Sequence, residues 1–330
     1  MMNFLKSTAM AAAVLAIASI AAADTLKISH IRPQGATIDN ELRAFAEGLS
    51  GATDGSLELN LFPASALGDY TSVQERISVG AIDMAVQPAA TAVDRRMQIS
   101  AFPYVASNWT EAKNIYGPGG AIYDAMKELY AKQDITMLAA YPVYFGGVAL
   151  NTDAVNPGDP AAAKGIKVRV PGIKSFQLTA DALGYISSPI PFSEAFTAVQ
   201  TGVVDGVVGS GAEGYYASFR DVTTTYVPVN THFEVWYMII NSGALAGLSD
   251  EDRTALEQAA VAFEAKRWET AEVDQGAFEQ KLAENGATIV SLSDEELVAT
   301  AEHVRAQVWP QVLEDVGQEW GQSILDKIGN

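Results

Sequence analysis

The sequence predicts an α/β protein of two similarly built lobes, each a mostly parallel sheet covered by helices, and two observations carry that expectation. A pattern of strand, proline, helix, glycine and a second strand with an early Asp occurs twice. It runs through Leu57–Phe62, Pro63, Val73–Val79, Gly80 and Ile82–Val86, then through Tyr185-Ile186, Pro189–Phe192, Glu194–Thr201, Gly202 and Val203–Val208. Two such units in separate halves point to two lobes, with ligand expected in the cleft between them. The length of 330 residues fits about two domains, and 48% hydrophobic with 18% charged residues is the composition of an ordinary globular protein.

The elements follow in order. Lys6, the apolar run Ala9–Ile20 and the small residues Ala21–Ala23 read as a secretory signal peptide over residues 1–23, cut near Ala23. The run is shorter than the ~20 apolar residues of a membrane span, so a periplasmic location without stable membrane insertion is expected. Thr25–Ser29 alternates as a strand, Arg32–Gly35 reads as a turn, and Ile38–Leu49 has helical period. Gly80 suits the left-handed position after a helix, and Ser193 is the expected cap of the helix Glu194–Thr201. Tyr141–Leu150 reads as a long strand crossing between lobes near Gly146, and Phe233–Ile240 as the strand that crosses back. Ser249 opens a long helix, with Asp252 in capping-box position, that runs to Asn285-Gly286. A last helix begins at Ser293 with Glu296 as its box partner, and Pro310 predicts a kink or break in it. The expected division is 24–145 plus 234–272 for lobe I and 146–233 plus 273–330 for lobe II.

Composition excludes several functions. With 40 acidic against 21 basic residues the formal charge is −19, which repels phosphate backbones and makes nucleic acid an unexpected partner. The absence of cysteine removes disulfides, thiolate nucleophiles and Cys-ligated metals. His30, His232 and His303 have no metal-ligand or catalytic partner at recognisable spacing, and no nucleophile elbow, Walker loop or dinucleotide glycine fingerprint is present. Neither catalytic residues nor a cofactor or metal is therefore expected, and an exported hydrolase is disfavoured. Gly209-Ser210-Gly211 reads as a flexible or ligand-lining loop.

The stretch Lys164–Gly172 is more informative. Alternation puts Ile166, Val168 and Val170 on one face and Lys167 and Arg169 on the other, and Pro171-Gly172 ends the strand just after Arg169. Open α/β sheets bind ligands at the carboxyl ends of their strands, where a guanidinium can hold a carboxylate through two parallel hydrogen bonds. A solvated strand arginine is the other reading of the same residues.

Residues 24 to about 325 resemble the periplasmic solute receptors of tripartite ATP-independent periplasmic (TRAP) transporters, in the dicarboxylate-receptor-like branch. Four stretches carry the resemblance: Leu61–Asp69 (LFPASALGD), Gly165–Pro171 (GIKVRVP), Pro191–Glu194 (PFSE) and Gln200–Gly206 (QTGVVDG). Ala101–Val105 fits as well. The resemblance implies a two-lobe periplasmic-binding-protein fold that closes like a flytrap, hinged by crossing strands and a long helix spanning both lobes. It also implies that Arg169 pairs with the ligand carboxylate, that Phe192 packs on the ligand, and that ligand is handed to a separate membrane permease.

The sequence departs from the family pattern in two places. Val207-Val208-Gly209-Ser210 stands where many relatives have Gln-Glu-Asn-Pro, and the Tyr144–Gly147 stretch lacks the second arginine of sialic acid and dicarboxylate receptors. A small monoanionic organic acid is therefore the expected ligand, with Arg32 as a candidate second positive charge. Tyr144, Phe145 and Trp236 are the candidate aromatic contacts beside Phe192, favouring a planar acid if they face the cleft. Glu213, Glu234 and Gln87 are candidate polar contacts and Gly209 a candidate lining residue. Alternatives are a sulfonate or sugar-acid receptor, a receptor for an ATP-driven importer, or a subunit presenting ligand to a membrane sensor.

Overall fold

The computed structural model describes residues 23–329, so the signal-peptide expectation lies, apart from Ala23, outside the described residues. The first lobe begins β1 (Asp24–Ser29), α1 (Thr37–Ala52), β2 (Leu57–Phe62), α2 (Tyr70–Ser78), β3 (Met84–Gln87). A 3₁₀ segment (Arg95–Ala101) and the helices α3 (Trp109–Tyr116) and α4 (Ala121–Ala131) then lead into β4 (Ile135–Phe145). The second lobe runs β5 (Gly147–Leu150), β6 (Lys167–Val170), α5 (Lys174–Ala182), β7 (Ile186–Pro189), α6 (Phe192–Gln200), β8 (Gly206–Ser210), α7 (Ala212–Phe219) and β9 (Thr225–Val227). The chain returns through β10 (Phe233–Asn241) and ends with α8 (Ser242–Gly247), α9 (Asp250–Glu284), β11 (Thr288–Ile289), α10 (Asp294–Val316) and α11 (Gln318–Ile328).

The strands form two sheets, ordered β2-β1-β3-β10-β4 and β11-β9-β5-β8-β6-β7. In each, three strands pair in parallel with the earliest in the middle: β1 between β2 and β3, and β6 between β7 and β8. The repeat visible in the sequence is thus the second half of a longer one, in which β1 and α1 correspond to β6 and α5. The sheets are mixed rather than mostly parallel. The crossing strands β10 and β5 arrive from the other lobe and pair antiparallel with their neighbours. Each middle strand is a topological switch point, where the connections diverge and leave a crevice at the carboxyl ends.

The two crossings touch. Gly146, between β4 and β5, donates its N–H to the His232 carbonyl at 2.8 Å, and Thr231 N–H returns a bond to the Gly146 carbonyl at 2.9 Å. A Cβ on Gly146 would lie 2.3 Å from His232 Cε1 and 2.8 Å from Thr231 Oγ1, so only glycine admits this approach.

Ser249 caps α9 as expected, accepting from Asp252 N–H at 3.0 Å and donating to its carboxylate at 2.9 Å. Three acidic residues in the first turn complement the positive end of the helix dipole. This helix packs on α1 and β4 of the first lobe and on α7 of the second. Its buried Arg267 fastens it to the first crossing, donating to the Pro142 carbonyl at 2.9 Å while pairing with Asp274 at 2.7 Å and Glu41 at 3.4 Å. No helix among the described residues is long and apolar enough to cross a membrane.

Three local expectations differ from the structure. Pro191, not Ser193, stands at the N-cap of α6, with no side-chain cap bond. Pro310 does not break α10, which runs unbroken from its Ser293–Glu296 capping box to Val316. Pro310 and Ala306, whose carbonyl loses its helical donor, are both exposed, so water can satisfy that carbonyl. Finally, α11, within the span expected for the second lobe, packs on α4 of the first, while α10 packs on both α5 and the 3₁₀ segment. Arg305 and Trp309 of α10 donate to the Tyr104 and Pro103 carbonyls at 3.0 and 2.8 Å.

Gly146→Ala is expected to destabilise the protein by about 1–3 kcal/mol through overpacking at the crossing, read as a lower urea midpoint at unchanged slope.

Candidate functional site

The carboxyl ends of the two switch points face each other and enclose a cavity of about 50 Å³, several times the ~10–15 Å³ that holds one water. The first lobe contributes Ile31 and Arg32 after β1, Tyr70 at the start of α2, and Pro88 and Ala89 after β3. The second contributes Arg169 from β6, Pro171 just after it, Ile173, Phe176, Phe192 and Gly209. The returning crossing adds His232, Phe233, Glu234 and Val235.

Arg169 is 2% exposed. Its Nε donates to the Ile190 carbonyl at 2.8 Å, and the guanidinium stands 5.7 Å from the centre of the Phe192 ring. Its terminal nitrogens have no hydrogen bond and no ion pair among the described residues, and Asp69 acts on it only as a longer-range charge. Burial, with a smaller push from Arg32, pulls its pKa below the ordinary arginine value. Gly209 makes room beside it: with φ at +117° it tolerates no ordinary side chain, and a Cβ there would come within 2.7 Å of Pro171. Tyr70, held by the Gln87 side chain donating to its carbonyl at 2.8 Å, has its phenol pushed up to about 12 by burial and remains a donor.

Arg32 is equally buried but fully compensated. It donates to Glu213 at 3.1 Å, Ser210 at 2.8 Å and Glu234 at 3.4 Å, and lies 4.7 Å from the Trp236 ring centre. Burial opposes its charge, yet Glu213 and Glu234 more than offset this and hold its pKa above the usual value. The expectation that Arg32 brings a second free positive charge is therefore corrected: two carboxylates absorb it. Glu234 is fully engaged, accepting from Trp236 Nε1 at 2.9 Å, Ser210 Oγ at 2.8 Å and Gly211 N–H at 3.3 Å besides Arg32. Burial raises its pKa, with Arg32 acting against the shift.

The structure separates the other candidates. Arg32, Arg169, Phe192 and Gly209 line the cavity; Trp236, Tyr144, Phe145, Glu213 and Gln87 do not. Trp236 and Glu213 support Arg32, and Gln87 supports Tyr70. Tyr144 lies under α9, 5.2 Å from Arg267 and 5.9 Å from Phe278. Phe145 belongs to a core cluster with Trp109 and Phe233, at 5.9 and 5.2 Å. Both are buried on β4, whose faces are covered by helices rather than by the cavity.

His232 and Tyr70 went unseen in the sequence. His232 Nδ1 lies 2.9 Å from Thr231 Oγ1, its ring meets Phe176 edge-on at 4.7 Å, and Nε2 has no partner. Burial alone pushes its pKa down to about 3, so the ring is neutral. His30 does have a partner, Asp39 at 3.1 Å, but it stands outside the cavity, and Asp39 also accepts Gly35 N–H and the Arg43 fork, fixing the loop that carries Arg32. No cluster of three His, Cys, Asp or Glu suited to a metal occurs among the described residues.

Residues 28–315 match the family model described as bacterial extracellular solute-binding protein, family 7 (DctP). A solute-binding protein of Roseobacter denitrificans is 28% identical over 278 residues, covering 83% of this chain and 81% of its own. The C4-dicarboxylate-binding periplasmic protein of Rhodobacter capsulatus is 27% identical over 249 residues, covering 74% and 73%. Among solved structures, a Bordetella pertussis extracytoplasmic solute receptor binding pyroglutamic acid superposes with a TM-score of 0.83 at 22% identity, over 93% of this chain and 100% of that one. The sugar acid binding protein of Advenella mimigardefordensis in complex with galactonate gives 0.85 at 18% identity, over 93% and 98%. The chain thus belongs to the DctP family, the bacterial extracellular solute-binding proteins of family 7.

Proposed function

We propose that this receptor closes its lobes around one small organic acid of single negative charge and delivers it to a TRAP membrane permease after export and cleavage near Ala23. One observation carries the reading: Arg169 is a buried guanidinium beside a cavity, and its terminal nitrogens have neither a hydrogen bond nor an ion pair among the described residues. A charge taken out of water without a partner is strongly unfavourable, and a bound carboxylate or sulfonate supplies the missing charge through the guanidinium fork. Because Glu213 and Glu234 already neutralise Arg32, one anionic group is enough. The largely apolar wall of Ile31, Pro88, Ala89, Ile173, Phe176 and Val235 suits a compact acid better than a polyhydroxylated sugar acid. The family consists of solute-binding receptors, which supports a role in binding without chemistry.

Thermal unfolding against acetate, lactate, pyroglutamate, benzoate, propanesulfonate, succinate and galactonate tests this. A monoanion at ~100 times its Kd is expected to add about 2.7 kcal/mol of stability. Arg169→Ala is expected to lose about 2–5 kcal/mol of binding. Tighter binding of succinate than of every monoanion, or a shift that survives Arg169→Ala, overturns the reading.

The same charge should govern closure. An unpaired guanidinium penalises the closed form until an anion arrives, so Arg169→Met is expected to shift the ligand-free protein toward the compact form. Small-angle scattering checks this as a smaller ligand-free radius of gyration than wild type, with no further contraction on adding acid.

A further inference from the structure

Resting on the anion reading above, we propose that His232 is a specificity-determining residue whose Nε2 takes an uncharged hydrogen-bonding group on the ligand skeleton, so that the site selects hydroxy-, oxo- or lactam-bearing monoacids over plain hydrocarbon acids. His232 is 3% exposed and forms part of the cavity wall, yet Nε2 has no partner among the described residues. The rest of the ring is held: Nδ1 meets Thr231 Oγ1, Phe176 stands edge-on, and Gly146 packs against Cε1. An unmet donor or acceptor in an apolar wall is unfavourable, and a site with such a group rejects the analogue that leaves it unpaired.

Of the other polar groups in the wall, Tyr70 keeps a phenol O–H that donates at ordinary pH, and the rest are engaged. Arg169 holds the acid group, Glu234 is saturated by Arg32, Ser210, Gly211 and Trp236, and Ser100 Oγ donates to the Met97 carbonyl. Burial keeps the imidazole neutral, so it offers no countercharge to a second carboxylate. An ammonium finds no free carboxylate on this wall, since Glu234 is engaged. A neutral donor or acceptor remains, and the proton on the imidazole can sit on either nitrogen to match it.

Matched isosteres provide the test: lactate against isobutyrate and pyroglutamate against cyclopentanecarboxylate, titrated calorimetrically into the wild-type receptor, His232→Phe and His232→Gln. In wild type the polar member of at least one pair is expected to bind tenfold or more tighter, and in His232→Phe the two members converge to within threefold. His232→Gln keeps part of the preference. A readout free of any variant is the ¹⁵N resonance of Nε2, which should move with the preferred polar acid and stay put with its hydrocarbon partner. Equal affinity within both wild-type pairs, or a preference that persists in a folded His232→Phe, overturns the role of His232 and leaves the Arg169 anchor standing. Binding of all four acids that is indifferent to Arg169→Ala overturns the anchor itself, and this proposal falls with it.

Discussion

Among the described residues, one buried guanidinium without an ion pair, that of Arg169, sets the terms for the site around it. Three arginines are buried between or beneath the lobes, and two are satisfied at close range: Arg32 by Glu213 and Glu234, and Arg267 by Glu41, Asp274 and the crossing-strand carbonyls. Arg169 alone has backbone on one side and open cavity on the other. In a low-dielectric setting that asymmetry is expensive, and the structure around it, from Gly209 making room to Phe192 offering its ring face, keeps the fork in place rather than neutralising it. The overall acidity of the chain does not oppose this, because exposed charges are screened within roughly 8 Å at physiological salt while a buried guanidinium acts locally.

The fold places that charge by repetition. Each lobe presents the carboxyl end of its middle strand, β1 or β6, to the other, so Arg32, three residues past β1, and Arg169, near the end of β6, line one crevice. The crossings meet beside the crevice: Gly146 and Thr231–His232 join the two chain passages by a pair of backbone bonds, while α9 and α10 run along both lobes. His232 therefore belongs to the hinge through its backbone and to the cavity through its ring.

Much of this was legible in the sequence because it rests on local signals. Strand alternation with a Pro-Gly stop located Arg169, Ser249 and Ser293 marked helix starts, and the apolar-Asp repeat marked the two lobes. What stayed illegible depends on distant partners. Arg32 and its neutralising carboxylates lie 181 and 202 residues apart, so nothing near the turn reveals that its charge is spent. Tyr144 and Phe145 sit beside the crossing, but helix packing turns them into core. His232 showed no partner at a recognisable spacing, and its Nε2 has none among the described residues. Pro310 shows that a local rule yields when the orphaned carbonyl can reach water.

The position of β10 has a consequence for how the molecule is assembled. This strand lies inside the first sheet, between β3 and β4, yet it follows the whole of the second lobe in the chain. The first sheet cannot close until that later segment arrives, whereas β5 to β9 form a contiguous stretch able to pair among themselves first. Such long-separation pairing makes folding slow, and the second sheet shares the constraint at its edge, where β11, later in the chain than β10, pairs with β9.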